Sequence, residues 1–274
     1  RPDPAGVAAM AARIMAAKNP IIVASDDVAR ADAVKDLVAL SEAMGAGVWF
    51  EGIRHHINFP NRHPNAKGIL PVDAGAIRNT FGEADLVMLI GGPFFEEVWF
   101  TSGLPFPDGA TVVQLEEAAA RLAHNHAVDA GLVGHLPTSL GDLTATLKAS
   151  GDYQSAAKAR NDALAAESTE ARAAYEARSQ RAWDRDPMSM ARAMAEINAG
   201  TPDNAVVVEE AITAGLDLAQ AFEFSTPGDY LSGRGGGIGQ GLAGAIGAKQ
   251  GQPERPVLAV SGDGSAMYSI QALW

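Results

Sequence analysis

Short apolar runs alternate with amphipathic stretches along the first 150 residues. Residues 20–25 form a nearly continuous apolar, β-branched run, and residues 85–90 repeat the pattern. Such runs are typical of parallel strands that are buried on both faces of a sheet. Before the first run, apolar side chains at helical spacing predict a helix over residues 4–18, with Asp3 as its N-cap. The alternation predicts an α/β fold, with a doubly wound parallel sheet over residues 1–150.

The pattern changes after residue 150. Residues 155–185 are rich in Ala, Glu and Arg with few large apolar side chains, which predicts a solvated helical linker over residues 151–186. A second, incomplete α/β domain is expected over residues 187–274. The other predicted elements are helices at 30–44, 73–81, 138–149 and 187–198, strands at 47–50, 110–115, 127–133, 205–208 and 257–261, and a glycine-rich turn and helix at 235–249.

Composition narrows the classes of function. The net charge of −12 argues against nucleic acid and anionic membranes as partners, because both require a basic surface. No apolar run approaches the length of a membrane span. The chain contains no cysteine, which excludes disulfides, thiolate catalysis and cysteine-ligated metals and is compatible with a cytoplasmic enzyme.

The sequence Gly262-Asp263-Gly264-Ser265 carries the clearest chemical signal. It follows an apolar strand and precedes the start of a helix. Backbone N–H groups at such a turn can approach a phosphate closely, while the carboxylate can bind a divalent metal. Taken alone, Gly-Asp-Gly is also ordinary turn chemistry.

A second glycine-rich motif leaves an alternative open. Gly239, Gly241 and Gly244 match the Gly-x-Gly-x-x-Gly fingerprint of dinucleotide-binding proteins, with Asp263 at about the distance of the ribose-binding acid. This would make the chain a non-catalytic nucleotide-binding α/β domain. The short run 229–232 is a poor opening strand for that motif, however, and a purely structural turn is a third interpretation.

Three stretches, in the same order along the chain, resemble benzoylformate decarboxylase and its relatives among the thiamine diphosphate (ThDP)-dependent 2-oxo acid decarboxylases and carboligases. They are Phe-Pro-Asn-Arg-His-Pro and the following residues at 59–68, the glycine-rich stretch 234–247, and residues 262–274. The resemblance implies that residues 1–150 are the middle domain of such an enzyme. Residues 187–274 would then begin its diphosphate-binding domain.

The resemblance also implies site residues and two cofactors, ThDP and Mg²⁺. Asp263 would bind Mg²⁺, and Ile238 would lie beneath ThDP and support its bent conformation, although most isoleucines are simply core residues. Thr213 would contact the diphosphate, or else N-cap the helix that follows it. The implied cofactor-binding residues are Thr213, Gly236, Gly237, Ile238, Gly262, Gly264, Ser265 and Ala266.

By the same resemblance, the parent enzyme acts on a small 2-oxo acid and is a homo-oligomer, a dimer or a tetramer. A benzoylformate decarboxylase-like lyase and an acetolactate synthase-like carboligase remain alternatives. In the family, a further metal ligand and a glutamate that activates the cofactor come from other segments. We therefore expect this chain to be a fragment that is inactive by itself.

Several side chains are ambiguous or depart from the family pattern. Val98 stands where benzoylformate decarboxylase has an active-site histidine, which puts that substrate in doubt. The neighbouring aromatics Phe94, Phe95, Trp99 and Phe100 could line a substrate pocket or a subunit contact. Glu209 and Glu210 are adjacent on a strand, so their side chains should point apart. A metal site is conceivable among two groups of histidines: His55, His56 and His63, and His124, His126 and His135.

Overall fold

A computed structural model describes residues 1–274. The chain divides into two compact units, which we describe separately. The first unit comprises Arg1–Gly52 and His63–Ser168, and the second comprises Ile53–Arg62 and Thr169–Trp274. No helix combines the length and the apolar character that crossing a membrane requires.

The first unit is a six-stranded parallel sheet with helices in its connections. Its strands are β1 (Pro20–Ala24), β2 (Gly47–Phe50), β3 (Ala66–Ile69), β4 (Leu86–Ile90), β5 (Thr111–Glu116) and β6 (Ala130–Val133). Its helices are α1 (Pro4–Ala16), α2 (Asp27–Arg30), α3 (Val34–Met44), α4 (Ala74–Phe81), α5 (Leu136–Lys148) and the first part of α6 (Gly151–Arg181).

The strand order of this sheet is β3-β2-β1-β4-β5-β6, so the predicted doubly wound fold is confirmed. The chain adds strands on one side of β1 and then returns to add β4, β5 and β6 on the other. Ile22 of β1 pairs with Val48 on one side and with Met88 on the other. The point between β1 and β4, where the order reverses, is where open α/β sheets commonly bind ligands.

Both faces of the first sheet are covered. All five residues of β4 are buried, as its continuous apolar sequence predicts. On one face, Val87 and Leu89 pack with Ile77 and Phe81 of α4 in a single apolar cluster. Burial of such side chains stabilises a domain by roughly 1.5–3 kcal/mol each.

Local capping chemistry sets the ends of α1 and α3. The carboxylate of Asp3 accepts hydrogen bonds from the N–H groups of Ala5 (3.3 Å) and Gly6 (3.1 Å), which confirms the predicted N-cap. Helix α3 ends at Gly45, whose φ of +60° is in the left-handed region that favours glycine.

One prediction for the first unit was wrong, and one strand was missed. Residues 30–44 do not form one helix, because Asp32 adopts a left-handed conformation with φ of +53° and separates α2 from α3. Strand β3 was not predicted. Its sequence Ala-Lys-Gly-Ile is only half-buried, and Gly68, with φ of +105°, interrupts the residue alternation by which a strand is recognised.

The second unit contains a smaller, three-stranded parallel sheet with the order β8-β7-β9. Its strands are β7 (Val206–Glu210), β8 (Tyr230–Ser232) and β9 (Val257–Ser261). Its helices are the end of α6, α7 (Met190–Gly200), α8 (Ile212–Ala221), α9 (Gln240–Gly251) and α10 (Asp263–Met267).

The segment 53–62 packs into the second unit. Ile57 is buried with Leu218 and Phe222 of α8 in the core of that unit. The side chain of Asn61 donates to the carbonyl oxygens of Ala219 (3.1 Å) and Phe222 (3.0 Å). These bonds satisfy carbonyl groups at the end of α8 that have no partner within the helix.

Candidate functional site

Three chain segments converge at one edge of the second sheet. Because β7, β8 and β9 are parallel, their carboxyl ends lie at the same edge. Strand β8 leads into residues 233–239, which we call the glycine turn. Strand β7 ends at Glu210 and is followed by α8, and β9 leads into residues 262–265, which we call the Asp263 turn. Open α/β sheets bind ligands at this edge.

The Asp263 turn presents a carboxylate and a helix N-terminus. Asp263 is exposed and is the first residue of α10, while Gly262 is extended. The N–H groups of the first helical turn lack intrahelical partners and can bind an anion. A Cβ built on Gly264 would have no atom within 4 Å, so the space beside this backbone is open.

The glycine turn combines left-handed backbone with open space. Gly235 and Gly236 have φ values of +84° and +66°, which glycine adopts without strain. A Cβ built on Gly236 or Gly237 would meet nothing within 4 Å, so a ligand can approach this backbone. The side chain of Ile238 is 59% exposed, which contradicts the alternative that it is a core residue.

The two adjacent glutamates point apart, as predicted. The carboxylate of Glu210 accepts hydrogen bonds from the N–H groups of Gly239, Gln240 (3.3 Å) and Gly241 (2.9 Å) at the start of α9. Glu209 lies on the opposite side of β7, where it contacts residues of β8. The role of Glu210 was not predicted from the sequence. The signal for it was a charged residue at a strand end, which must find donors if it is not solvated.

Glu209 anchors β8 to β7. Its carboxylate accepts hydrogen bonds from the Tyr230 hydroxyl (3.0 Å) and the Ser232 hydroxyl (3.2 Å). Burial raises the pKa of Tyr230 to about 12. Arg54 lowers this pKa and the neighbouring Glu209 carboxylate raises it. The tyrosine is therefore a neutral hydrogen-bond donor that fixes the strand leading into the glycine turn.

Thr213 lies near the same edge but does not cap a helix. It is exposed and is the second residue of α8, whose N-cap is Ala211. The alternative that Thr213 N-caps this helix is therefore wrong. Thr213 is nevertheless exposed three residues after the end of β7.

The geometry does not support a dinucleotide at Gly239, Gly241 and Gly244. In a dinucleotide-binding fold, the helix N-terminus after this motif faces the pyrophosphate. Here the corresponding N–H groups of α9 are bound by the carboxylate of Glu210. The preceding strand, β8, has only three residues.

In the first unit, side chains of the unit itself occupy the point between β1 and β4 where the strand order reverses. Asp27, after β1, forms ion pairs with Arg30 (2.9 Å) and Arg121. Glu116, at the end of β5, accepts from the N–H of Gly92 (3.1 Å), and burial raises the pKa of its carboxyl group. The cavity beside Glu116 and Arg121 has a volume of about 80 Å³, whereas ligand pockets measure roughly 300–1,000 Å³. This does not support a nucleotide at this position.

The loop after β4 separates the four aromatic residues into two groups. Phe94 and Phe95 are buried in the core of the first unit, which contradicts a subunit contact for them, although Phe94 lines the small cavity beside Glu116. Val98, Trp99 and Phe100 are 54%, 70% and 88% exposed. Of these, Trp99 and Phe100 remain candidates for a substrate pocket or a subunit contact.

The histidines do not form a metal centre. No group of three or more His, Asp or Glu side chains is arranged so that it could hold a metal ion. His63 contacts Glu42 at 3.4 Å in the first unit. In the second unit, Nδ1 of His55 lies 2.9 Å from the carbonyl oxygen of Ser232 and 3.3 Å from the backbone nitrogen of Arg234. His55 thus packs against the start of the glycine turn, which nothing in its local sequence indicated.

Fold and site together define a class. The chain forms a doubly wound α/β unit, and then a parallel sheet with the glycine turn and the Asp263 turn at one edge. This is the architecture of ThDP-enzyme domains.

Two family models identify the family itself. Residues 7–143 match the model of the thiamine pyrophosphate enzyme central domain, and residues 213–274 match that of the thiamine pyrophosphate enzyme C-terminal TPP binding domain. The chain therefore belongs to the thiamine pyrophosphate (ThDP) enzyme family, and the resemblance found in the sequence is confirmed.

Similar proteins include decarboxylases and a synthase. Over 273 residues, the chain is 31% identical to the benzoylformate decarboxylase of Pseudomonas aeruginosa, covering 100% of this chain and 48% of that protein. It is 29% identical to the acetolactate synthase large subunit IlvG of Mycobacterium tuberculosis, covering 98% and 46%. The structure of a ThDP-dependent 4-hydroxybenzoylformate decarboxylase from Rhodococcus jostii RHA1 superposes with a TM-score of 0.78 at 26% identity, covering 98% and 47%. The chain spans about half the length of the curated relatives it matches.

Proposed function

We propose that this chain belongs to a Mg²⁺- and ThDP-dependent enzyme that decarboxylates a small 2-oxo acid, as a benzoylformate decarboxylase does. Residues 1–150 would be the middle domain, 151–186 a linker and 187–274 part of the ThDP-binding domain. The observation that carries the proposal is the shared edge of β7, β8 and β9, where the glycine turn and the Asp263 turn lie on either side of the end of β7. The activity is proposed for the whole enzyme and not for the 274 residues taken alone.

The residues at this edge fit ThDP and Mg²⁺. Mg²⁺ is usually held by one or two carboxylates together with phosphate oxygens and waters, and Asp263 offers one exposed carboxylate. The N-terminus of α10 offers N–H groups to a diphosphate. Gly236 and Gly237 leave their backbone open to an approaching ring.

Each residue would have a defined task. ThDP, when bound, supplies the carbanion chemistry by which a 2-oxo acid loses CO₂. Asp263 would hold the metal, and the exposed side chain of Ile238 would support the bent cofactor above Gly236 and Gly237. The residues that would hold the diphosphate are Thr213, Gly262, Gly264, Ser265 and Ala266.

A carboligase is the second candidate. The similarity to an acetolactate synthase large subunit favours it, and so does Val98, an apolar residue at the position where a benzoylformate decarboxylase has a histidine. A decarboxylase must deliver a proton after CO₂ leaves, whereas a carboligase delivers a second carbonyl compound. Release of CO₂ from benzoylformate and from pyruvate, each with and without a second 2-oxo acid, distinguishes the two candidates in the whole enzyme.

The test of the cofactor site is Asp263→Ala in the whole enzyme. Loss of a metal ligand should weaken Mg²⁺-dependent ThDP binding at least tenfold, which corresponds to about 1.4 kcal/mol. Asp203→Ala is the matched control, because Asp203 is exposed and precedes β7 at the opposite edge of the sheet. Equal ThDP affinity in wild-type protein and Asp263→Ala, measured by titration calorimetry with and without Mg²⁺, would contradict the proposal.

We also propose that the whole enzyme is a cytoplasmic homo-oligomer, either a dimer or a tetramer. The exposed apolar side chains of Trp99 and Phe100 in the first unit, and of Ile212 and Leu216 on α8, are of the kind that interfaces bury. Light scattering coupled to size-exclusion chromatography tests this proposal, and a monomeric mass would contradict it.

A further inference from the structure

Glu210 contacts the glycine turn with its side chain. Gly239, the N-cap of α9, and Gln240 donate their N–H groups to one carboxylate oxygen, and Gly241 donates to the other at 2.9 Å. Three consecutive N–H groups at a helix N-terminus, where the helix dipole is positive, thus converge on one negative side chain.

The same residue contacts the Asp263 turn with its backbone. The carbonyl oxygen of Glu210 accepts a hydrogen bond from the N–H of Gly262 at 3.3 Å. The hydroxyl of Ser261, one residue earlier, lies 3.5 Å from the carboxylate of Glu210. One residue at the end of β7 therefore connects the segments that follow β8 and β9.

We infer that Glu210 is a positioning residue, which holds the glycine turn at a fixed distance from the Asp263 turn so that both ends of ThDP can be bound at once. The inference rests on the proposed function, which it deepens. A carboxylate suits the task because both of its oxygens accept hydrogen bonds and neither donates. A glutamine would place an NH₂ group against one of the N–H groups of α9.

The carboxylate of Glu210 can lie against the start of α9 only because residue 241 is a glycine. A Cβ built on Gly241 would lie 2.7 Å from both Cβ and Oε2 of Glu210, so an alanine there must displace the carboxylate. Gly244, one turn later in α9, has only an ordinary contact of 3.9 Å with Val208. Gly241→Ala therefore disturbs Glu210 without changing its charge, and Gly244→Ala is the matched control.

The experiment compares two ligands in the whole enzyme at saturating Mg²⁺. ThDP needs both turns, whereas inorganic pyrophosphate needs the Asp263 turn and Thr213 but not the glycine turn. Glu210→Gln keeps the backbone bond to Gly262, so we expect its pyrophosphate affinity to stay within about threefold and its ThDP affinity to fall at least tenfold. Gly241→Ala should show the same split. Glu254→Gln is the charge control, because Glu254 is exposed between α9 and β9.

Each outcome decides the question. A selective loss of ThDP affinity in Glu210→Gln and Gly241→Ala, with both controls like the wild type, supports the inference. Unchanged ThDP affinity in both variants overturns it, and so does an equal loss for both ligands, which is what a merely structural role produces. If Glu210→Gln does not fold, Gly241→Ala decides by the same criterion. A wild-type enzyme that binds pyrophosphate but not ThDP overturns the proposed function, and this inference with it.

Discussion

Replacing Gly237 by alanine should separate cofactor affinity from stability. A Cβ at Gly237 meets no atom within 4 Å, and the residue is not in the left-handed region. The added methyl group therefore makes no clash within the protein. A glycine-to-alanine change at a compatible position reduces the entropy of the unfolded chain and stabilises a protein by about 0.4–1 kcal/mol. We expect the free energy of unfolding to stay constant or to rise by this amount.

The effect on ThDP should have the opposite sign. If the cofactor ring rests on this backbone, the methyl group occupies space that the ring needs. Forcing an extra methyl group into a filled site costs about 1–3 kcal/mol. This corresponds to a dissociation constant for ThDP that is about 5- to 150-fold higher than in the wild type.

The assay is titration calorimetry of ThDP at saturating Mg²⁺ in the whole enzyme, combined with urea unfolding of the same samples. Gly247→Ala is the control, because Gly247 lies in α9 and its Cβ would also meet nothing within 4 Å. An unchanged ThDP affinity in Gly237→Ala would refute the placement of the cofactor over Gly237. A parallel loss of stability and affinity would show that the effect arises from folding.

Three further predictions concern stability. Tyr230→Phe removes a hydrogen bond of 3.0 Å to the Glu209 carboxylate and should lower the free energy of unfolding by about 1.5–3 kcal/mol. Gly45→Ala would place a Cβ 2.4 Å from the carbonyl oxygen of Ala157 at φ of +60°, and should lower it by about 2–4 kcal/mol. Burial raises the pKa of Glu116, which means that the folded state favours the protonated carboxyl group. The stabilisation from this protonated group is complete below the pKa that Glu116 has in the unfolded chain, and it is lost as pH rises through its pKa in the folded protein. The free energy of unfolding of Glu116→Gln minus that of the wild type should therefore increase from pH 4 to pH 7.

Urea unfolding measures all three effects, and each has a control on an exposed or open site. Tyr268→Phe removes an exposed hydroxyl, Gly141→Ala adds a methyl group with no atom within 4 Å, and Glu83→Gln neutralises an exposed carboxylate. If Tyr230→Phe or Gly45→Ala unfolded with the same free energy as its control, this would contradict the hydrogen bond of Tyr230 or the close contact at Gly45, respectively. A pH-independent difference for Glu116→Gln would contradict the raised pKa.

Local chemistry made much of the fold predictable. The continuous apolar run of β4 indicated a strand buried on both faces, and every residue of β4 is buried. Asp3 was recognised as an N-cap because its partners are only two and three residues away. The break at Asp32 was missed because a single left-handed residue interrupts otherwise helical spacing.

Contacts between distant residues were not predictable. Asn61 satisfies carbonyl groups of α8, and His55 packs against Ser232, although each pair is separated by more than 150 residues in sequence. A hydrogen bond of this kind leaves no periodic trace in the chain. The assignment of residues 53–62 to the second unit therefore required the structure.

The glycine motif shows where local rules stop being sufficient. Glycines at 239, 241 and 244 indicate that an acceptor approaches the N-terminus of a helix closely, because the spacing removes side chains from that surface. A phosphate and a carboxylate satisfy the same N–H groups, so the spacing alone does not distinguish a dinucleotide from a side chain. In the structure, the anion is Glu210, two residues before α8, and Gly241 has no room for a side chain because of it.

The rule that adjacent residues on a strand point apart separated Glu209 from Glu210 correctly. Which partner each glutamate meets depends on the order β8-β7-β9, which is a property of the sheet and not of either neighbour in sequence.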